Sequence, residues 1–350
     1  CGGSVLLRRR FSAGGFWQDV RSHGVTVAQY SGEMCRYLLN RPPSPADRDH
    51  RLRVMTGSGL GPAIWQAFQD RFGVSQMIEG YGGTEINVGL MNLENRIGSC
   101  GRIPPPGRSS GRLVRYDRDR NDIVRNPDGT LIECADGEVG EMLGMILELP
   151  GVTGGRFDGY TDREATEKKI LRDAFRPGDA WMRTGDLFYR DADGYYYFVD
   201  RVGDTFRWKS ENVSTTEVAN ALGGLPGVET VTVYGVAIPG TEGRAGMATV
   251  VMQEGASFDP AGFHRLARER LPSYAVPVFV RISANPDITA TFKLRKVDLQ
   301  KLGYAPAAGD ELYVADTAAQ CYVPLTSASL ARLGIPPWVV MNGDDNQGSG

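Results

Sequence analysis

The sequence predicts an α/β protein in two parts: a large domain that ends in a small antiparallel β subdomain, then a smaller α+β domain. Three observations predict it. A chain of 350 residues exceeds what one hydrophobic core usually organises. The first part alternates strand-like with helix-like segments, which is the rhythm of an open α/β sheet. The middle part changes to short apolar segments with turn signals, and an αβ rhythm returns after about residue 205.

Taken in order, VTVAQYSGEMCRYLLN (25–40) reads as a strand and then a helix, and PPSPAD breaks it. RLRVMTGSGLG (51–61) reads as a strand running into a glycine-rich turn. Pro62 suits a first helical turn, Ile64, Trp65, Phe68 and Phe72 recur at helical spacing, and Gly73 ends the helix. From about 98 to 200, NPDGT, ADGEVGE and RTGDLFYRDADGYYYFV mark short antiparallel strands, with DADG as a tight turn into an aromatic strand.

DRVGDTFRWKSENVSTTEVANAL (200–222) joins that strand to a helix through a polar, cationic loop that suits an anion. Ser214 and Glu217 form an S-x-x-E capping box, Val213 and Val218 can staple the helix entry, and Gly223 with Gly224 stops it. ETVTVYGVAI and GMATVVMQ then read as strands and PAGFHRLARERL as an amphipathic helix. The expected boundaries are a large domain over 1–200, with its β subdomain from about 98, a hinge at 201–204, a small domain over 205–310 and a tail over 311–350 that is low in pattern and ends in the polar run NGDDNQGSG.

Composition narrows the function classes. A net charge of −3 argues against nucleic-acid binding through bulk electrostatics. Five cysteines without a C-x-x-C spacing argue against a zinc site or a disulfide framework and favour a reducing cytoplasm. No apolar run approaches the ~20 residues that cross a bilayer, and CGGSVLLRRRF is not a secretory signal. Because it begins at Cys1, the chain is read as a piece or a processed product.

GRSSG (107–111) matches a hydrolase nucleophile pattern, but PPP precedes it where a strand is needed, so a loop is the better reading. Asn212-Val213-Ser214 matches a glycosylation acceptor by coincidence. In TGSGLG (56–61), exposed N–H groups suit an anion or a planar ring, against an ordinary tight turn as the alternative. In EGYGGTEINVG (79–89), Gly80, Gly82 and Gly83 free the backbone, Thr84 offers a hydroxyl and Glu85 an oxygen ligand suited to magnesium. In TGDLF (184–188), Asp186 follows a glycine at a strand end, where a carboxylate can accept both hydroxyls of a ribose.

Together these stretches resemble the adenylate-forming acyl-CoA synthetases, in their fatty acid transport protein or very-long-chain acyl-CoA synthetase branch. The resemblance runs collinearly from about 15 to 310. It rests on YGGTEINVG, RFDGYTDREATEKKI, RTGDLF, DRVGDTFRWKSENVSTTEVANAL, VYGVAIPGTEGRAGMA, LPSYAVPVFVRI and TATFKLRK. It implies a large adenylating domain and a mobile C-terminal domain acting as a two-step ligase. Fatty acid and ATP give an acyl adenylate and pyrophosphate, and coenzyme A then gives the thioester and AMP.

The resemblance also assigns roles. Gly57, Ser58 and Gly59 lie near the adenine. Tyr81, Gly82, Gly83 and Thr84 flank the adenine and the carboxylate or phosphate, and Glu85 holds Mg²⁺. Asp186 and Arg201 bind the ribose, and Lys293, preferred over Lys296 by register, bridges carboxylate and α-phosphate. The hinge falls at Gly203 with Asp204 beside it, and Arg207 and Lys209 meet coenzyme A phosphates.

Two departures stand out. Ser210 replaces a usual glycine, so a Cβ narrows the pantetheine channel, and residues 1–80 hold no Thr/Ser/Gly-rich phosphate loop. The chain is therefore expected to be the C-terminal part of a longer ligase, inactive alone. It is expected in the cytoplasm, with peripheral membrane association at the inner face and no nucleic-acid partner. A fatty-acid uptake or binding protein on a ligase fold and a non-catalytic remnant stay open as alternatives.

Overall fold

A computed structural model describes residues 2–83, 86–104, 110–118, 120–147, 155–225, 227–283 and 296–338. The chain divides into two compact units, Cys1–Val202 and Gly203–Gly350.

The first unit opens with α1 (Phe16–Ser22), β1 (Val27–Ser31), α2 (Gly32–Leu39), β2 (Val54–Ser58), α3 (Pro62–Phe72), β3 (Gln76–Tyr81) and β4 (Leu90–Asn92). The strands form one sheet in the order β1-β2-β3-β4, parallel except for β4. Helical crossovers account for the parallel pairs, because a parallel connection must return the chain along the sheet. Pro62 opens α3 and Gly73 closes it at φ 70°, as the sequence predicts. Trp65, Phe68 and Phe72 of α3 pack with Trp17, Met55 and Met77, each large side chain contributing roughly 1.5–3 kcal/mol by burial.

The same unit continues with β5 (Gly111–Asp117), β6 (Asp122–Ile123), β7 (Gly140–Met145), α4 (Arg163–Lys169), β8 (Ile170–Arg172), β9 (Ala180–Arg190) and β10 (Tyr196–Arg201). Their sheet runs β10-β9-β7-β5-β6, with β8 also paired to β9, and its pairings are antiparallel. This is the predicted β subdomain. Residues 107–109 of GRSSG lie outside the described residues.

One expectation changes here. Asp186 is not at a strand end but midway along β9, where the register against β7 shifts between Glu141 and Leu143. Gly185 at φ 77° makes the bulge, so the strand bends and continues where a turn residue suggested a stop.

The second unit holds β11 (Phe206–Trp208), β12 (Glu211–Val213), α5 (Thr215–Leu222), β13 (Val228–Val236), β14 (Ala245–Met252), α6 (Pro260–Arg270), β15 (Phe279–Ile282), α7 (Lys296–Leu302), β16 (Glu311–Asp316), β17 (Cys321–Pro324) and α8 (Ser327–Leu333). A five-stranded sheet runs β13-β14-β15-β16-β17, with β14 and β15 parallel. Ser214 Oγ accepts the Glu217 N–H at 3.2 Å, as a capping serine should, and Val213 and Val218 are buried together in the core.

This region differs from the sequence expectation at two places. The polar stretch after Asp204 is not a loop: β11 and β12 pair as a hairpin, with Lys209 and Ser210 at its tip in the left-handed region at φ 52° and 65°. Nor is the chain beyond 311 a tail outside the small domain, low in pattern as its sequence is. β16 and β17 complete the sheet, and Val314, Tyr322 and Leu330 are buried in its cores. These strands alternate too briefly for the sequence to declare them, and pairing with β15 supplies the rest.

Candidate functional site

Within the first unit, the segment after β4 fastens the α/β sheet to the β subdomain. Met91 N–H donates to the Arg102 carbonyl at 2.9 Å, and Tyr196 N–H donates to the Gly101 carbonyl at 2.9 Å. Gly101 sits at φ 96° against the backbone of Met91, where a Cβ has no room. Phe188 and Tyr196 share an apolar cluster with Leu90, and the Tyr81 ring meets Phe188 edge-on at 4.8 Å. The end of β3 is thereby held at the middle of β9.

That contact assembles the polar centre. Tyr81 Oη donates to Asp186 Oδ2 at 2.7 Å, and Arg201 Nε lies 3.4 Å from Asp186 Oδ1. Thr184 Oγ1 accepts the Asp186 N–H at 3.1 Å and donates to the Met142 carbonyl at 2.7 Å, while Gly185 N–H donates to Glu141 Oε1 at 3.1 Å. The bulge is thus pinned on both sides. Asp186 is buried, and burial raises its pKa, opposed by the Tyr81 hydrogen bond and by the charges of Arg201 and Lys169. Burial also pushes the Tyr81 phenol up, so it stays a hydrogen-bond donor. The arrangement is a fixed carboxylate beside one exposed cation, which suits a vicinal diol.

A second polar group lies one alternation back along β3. Glu79 is 4% exposed. Its Oε1 accepts the N–H groups of Gly59 at 2.5 Å and Leu60 at 3.2 Å, and its Oε2 accepts the Tyr30 hydroxyl. Gly57 and Ser58 end β2, and Gly59 turns the chain toward α3 at φ 80°. Burial raises the Glu79 carboxyl to about 7, against the hydrogen bonds that favour its ionised form. Sequence reading passed over Glu79, although the alternation Met77, Glu79, Tyr81 already put an acid on the buried face of a strand.

In the second unit, Gly203 is at φ 87° with open space around its Cα, and Asp204 follows it. Asp204 Oδ2 and Thr215 Oγ1 both accept from Lys296 Nζ at 2.8 Å. Arg207 and Lys209 are exposed on the hairpin, and the Arg207 carbonyl accepts the Arg244 N–H at 2.7 Å. Thr84, Glu85 and Lys293 lie outside the described residues. Among the described residues, no group of three or more His, Cys, Asp or Glu side chains could hold a metal ion, and no helix is long and apolar enough to cross a membrane.

Two models of one family match the chain: the AMP-binding enzyme model over residues 1–143, and the AMP-binding enzyme C-terminal domain model over 217–293. The chain belongs to the AMP-binding enzymes. It is 44% identical to human long-chain fatty acid transport protein 1, over 94% of this chain and 51% of that protein. It is also 44% identical to a medium/long-chain-fatty-acid–CoA ligase of Mycobacterium tuberculosis, over 92% of this chain and 53% of that protein. The chain spans about half the length of the curated relatives it matches. Among solved structures, ATP-bound MatB from Rhodopseudomonas palustris shares the fold at a TM-score of 0.63 and 21% identity, over 83% of this chain and 53% of that one.

For an AMP-binding enzyme, the geometry sorts the sequence-predicted residues into groups. Tyr81, Asp186 and Arg201 come together, and the turn at Gly57, Ser58 and Gly59 is tied to the same strand through Glu79. Gly82 and Gly83 continue directly from β3. Gly203, Asp204, Arg207 and Lys209 belong to the second unit. Lys296, the competitor of Lys293, is occupied by Asp204 and Thr215.

Proposed function

We propose that the complete protein is an AMP-forming ligase of long-chain or very-long-chain fatty acids. The observation that carries the reading is the buried Asp186 carboxylate held between Tyr81 and Arg201, in a chain of this family. The relatives support the substrate class, since the long-chain fatty acid transport proteins and the medium/long-chain-fatty-acid–CoA ligase have long-chain fatty acids in common.

In the first step the fatty acid carboxylate attacks the α-phosphorus of ATP. A P–O bond to the acyl oxygen forms, the bond to pyrophosphate breaks, and the mixed anhydride with AMP results. Asp186 accepts the ribose hydroxyls, its charge supported by Arg201 and its orientation set by Tyr81. The turn at Gly57, Ser58 and Gly59 offers its backbone beside the adenine, with Gly57 packed against the Tyr30 carbonyl and Gly59 turning at φ 80°. Two anions must meet in this step, so a cation is required where charge grows. Lys293 is the proposed cation.

Glu85 would hold magnesium, which would neutralise charge on the triphosphate. In the second step the coenzyme A thiolate attacks the acyl carbonyl, forming the thioester and expelling AMP, with Arg207 and Lys209 proposed for the coenzyme's phosphates. The proposed place is the cytoplasm, at the inner membrane surface where long-chain fatty acids partition.

The test incubates the complete gene product with ATP and a long-chain fatty acid but no coenzyme A. Bound acyl adenylate is expected, discharged to acyl-CoA and AMP when coenzyme A is added. Lys293→Ala should cut adenylate formation by about 10²-fold or more while sparing thioester formation from supplied acyl adenylate. Fatty acid binding without any ATP cleavage would instead establish the uptake reading.

A further inference from the structure

Glu79 is a buried acid to which neither sequence motif nor proposed chemistry gives a task. Three donors from two elements converge on it: the Tyr30 hydroxyl from β1, and the Gly59 and Leu60 N–H groups from the turn between β2 and α3. Both backbone donors share one oxygen, so the peptide units on either side of Gly59 are oriented by a single side chain. The opposite side of the turn is closed as well. Gly32, at the start of α2, lies so close to the Gly59 carbonyl that a Cβ there has no room. Glu79 also shares a face of β3 with Tyr81, two residues on, whose hydroxyl holds Asp186.

We propose that Glu79 is a positioning residue for nucleotide binding: it fixes the turn at Gly57 to Leu60 against the strand that carries Tyr81, so one strand sets both the turn and the diol-binding carboxylate. The inference rests on the adenylating reading above. Glu79 touches no substrate and acts through the turn. Its hold is strongest when it is ionised, since charge-assisted hydrogen bonds are roughly twice as strong as neutral ones.

Among the described residues, Tyr30 from β1 acts on this carboxylate directly, and Cys35 from α2 and Cys100 from the segment after β4 feel its charge. Burial first, and then the Glu79 charge, pushes all three up, Cys100 to about 12, so they remain neutral. The carboxyl, raised to about 7 by its burial, therefore changes charge across neutral pH while its neighbours do not.

The experiment measures kcat and KM for ATP in fatty-acid-dependent pyrophosphate exchange from pH 5.5 to 8.5, for the complete wild-type protein, Glu79→Gln and Glu79→Ala. In parallel, the amide resonances of Gly59 and Leu60 are followed over the same pH range. The wild-type KM for ATP should fall as pH rises, with an inflection near 7 that Glu79→Gln lacks. Glu79→Ala should raise that KM about tenfold or more with a smaller change in kcat, because two backbone donors lose a charged acceptor. The two amides should titrate near pH 7 in the wild type and not in Glu79→Gln.

If Glu79→Gln follows the wild-type pH profile, or Glu79→Ala lowers only the melting temperature, the carboxylate is a mere strut and the inference is overturned. A wild type without exchange activity overturns the functional reading instead. The amide titration then decides alone whether Glu79 holds the turn.

Discussion

A buried carboxylate is a cost unless its donors repay it, and the two acids of the first unit show both sides of that balance. Asp186 keeps Tyr81 and Arg201 beside it. Removing the phenol hydroxyl in Tyr81→Phe should leave the fold intact and weaken AMP binding by about tenfold, measured by calorimetry, because a hydrogen bond to a charged group is lost. Glu79 has its carboxyl raised from 4.5 to about 7, so its proton is held more tightly in the folded chain than in the unfolded one. The stability linked to it is complete below pH 4.5 and declines as pH rises through 7, by about 3 kcal/mol in total. Glu79→Gln should therefore melt above the wild type at pH 8 and close to it near pH 4.5 in calorimetric scans. Asp186 was legible as an acid after a glycine. Glu79 was not, because a lone acid in a strand acquires meaning only when the turn that it holds is in view.

Most elements with a strong period were legible. α3 announced its first residue through Pro62, its face through Trp65, Phe68 and Phe72, and its end through Gly73. Short elements were not. β11 and β12 span three residues each, and nothing in FRWKSENV alternates long enough to outweigh its charges. At the tip, Ser210 occupies φ 65°, a conformation that costs a residue with a Cβ about 1–2 kcal/mol. Ser210→Gly should accordingly raise the stability of the second unit by about 0.5–1 kcal/mol in denaturant titrations, part of the relief being offset by glycine's larger unfolded-state entropy. A neutral or destabilising result would mean that the hairpin tip is not in the left-handed conformation.

At the scale of the whole chain, the αβ rhythm correctly marked a second unit, but reading its end at 310 left out three elements. β16 covers the edge of β15, β17 covers β16, and Val314, Tyr322 and Leu330 fill the cores beneath. A fragment over 203–338 should fold cooperatively, whereas 203–310 should not, because it exposes the edge of β15 and empties those core positions. Circular dichroism and amide dispersion of the two fragments check this. The central claim, that Asp186 serves an adenylating site, is tested most directly by long-chain-fatty-acid-dependent incorporation of labelled pyrophosphate into ATP by the complete gene product. Exchange should be robust in the wild type, and Asp186→Ala should raise the KM for ATP by about tenfold or more, the expected loss of charged hydrogen bonds to the ribose. Exchange that is absent from the wild type, or that is unchanged in Asp186→Ala, would contradict it.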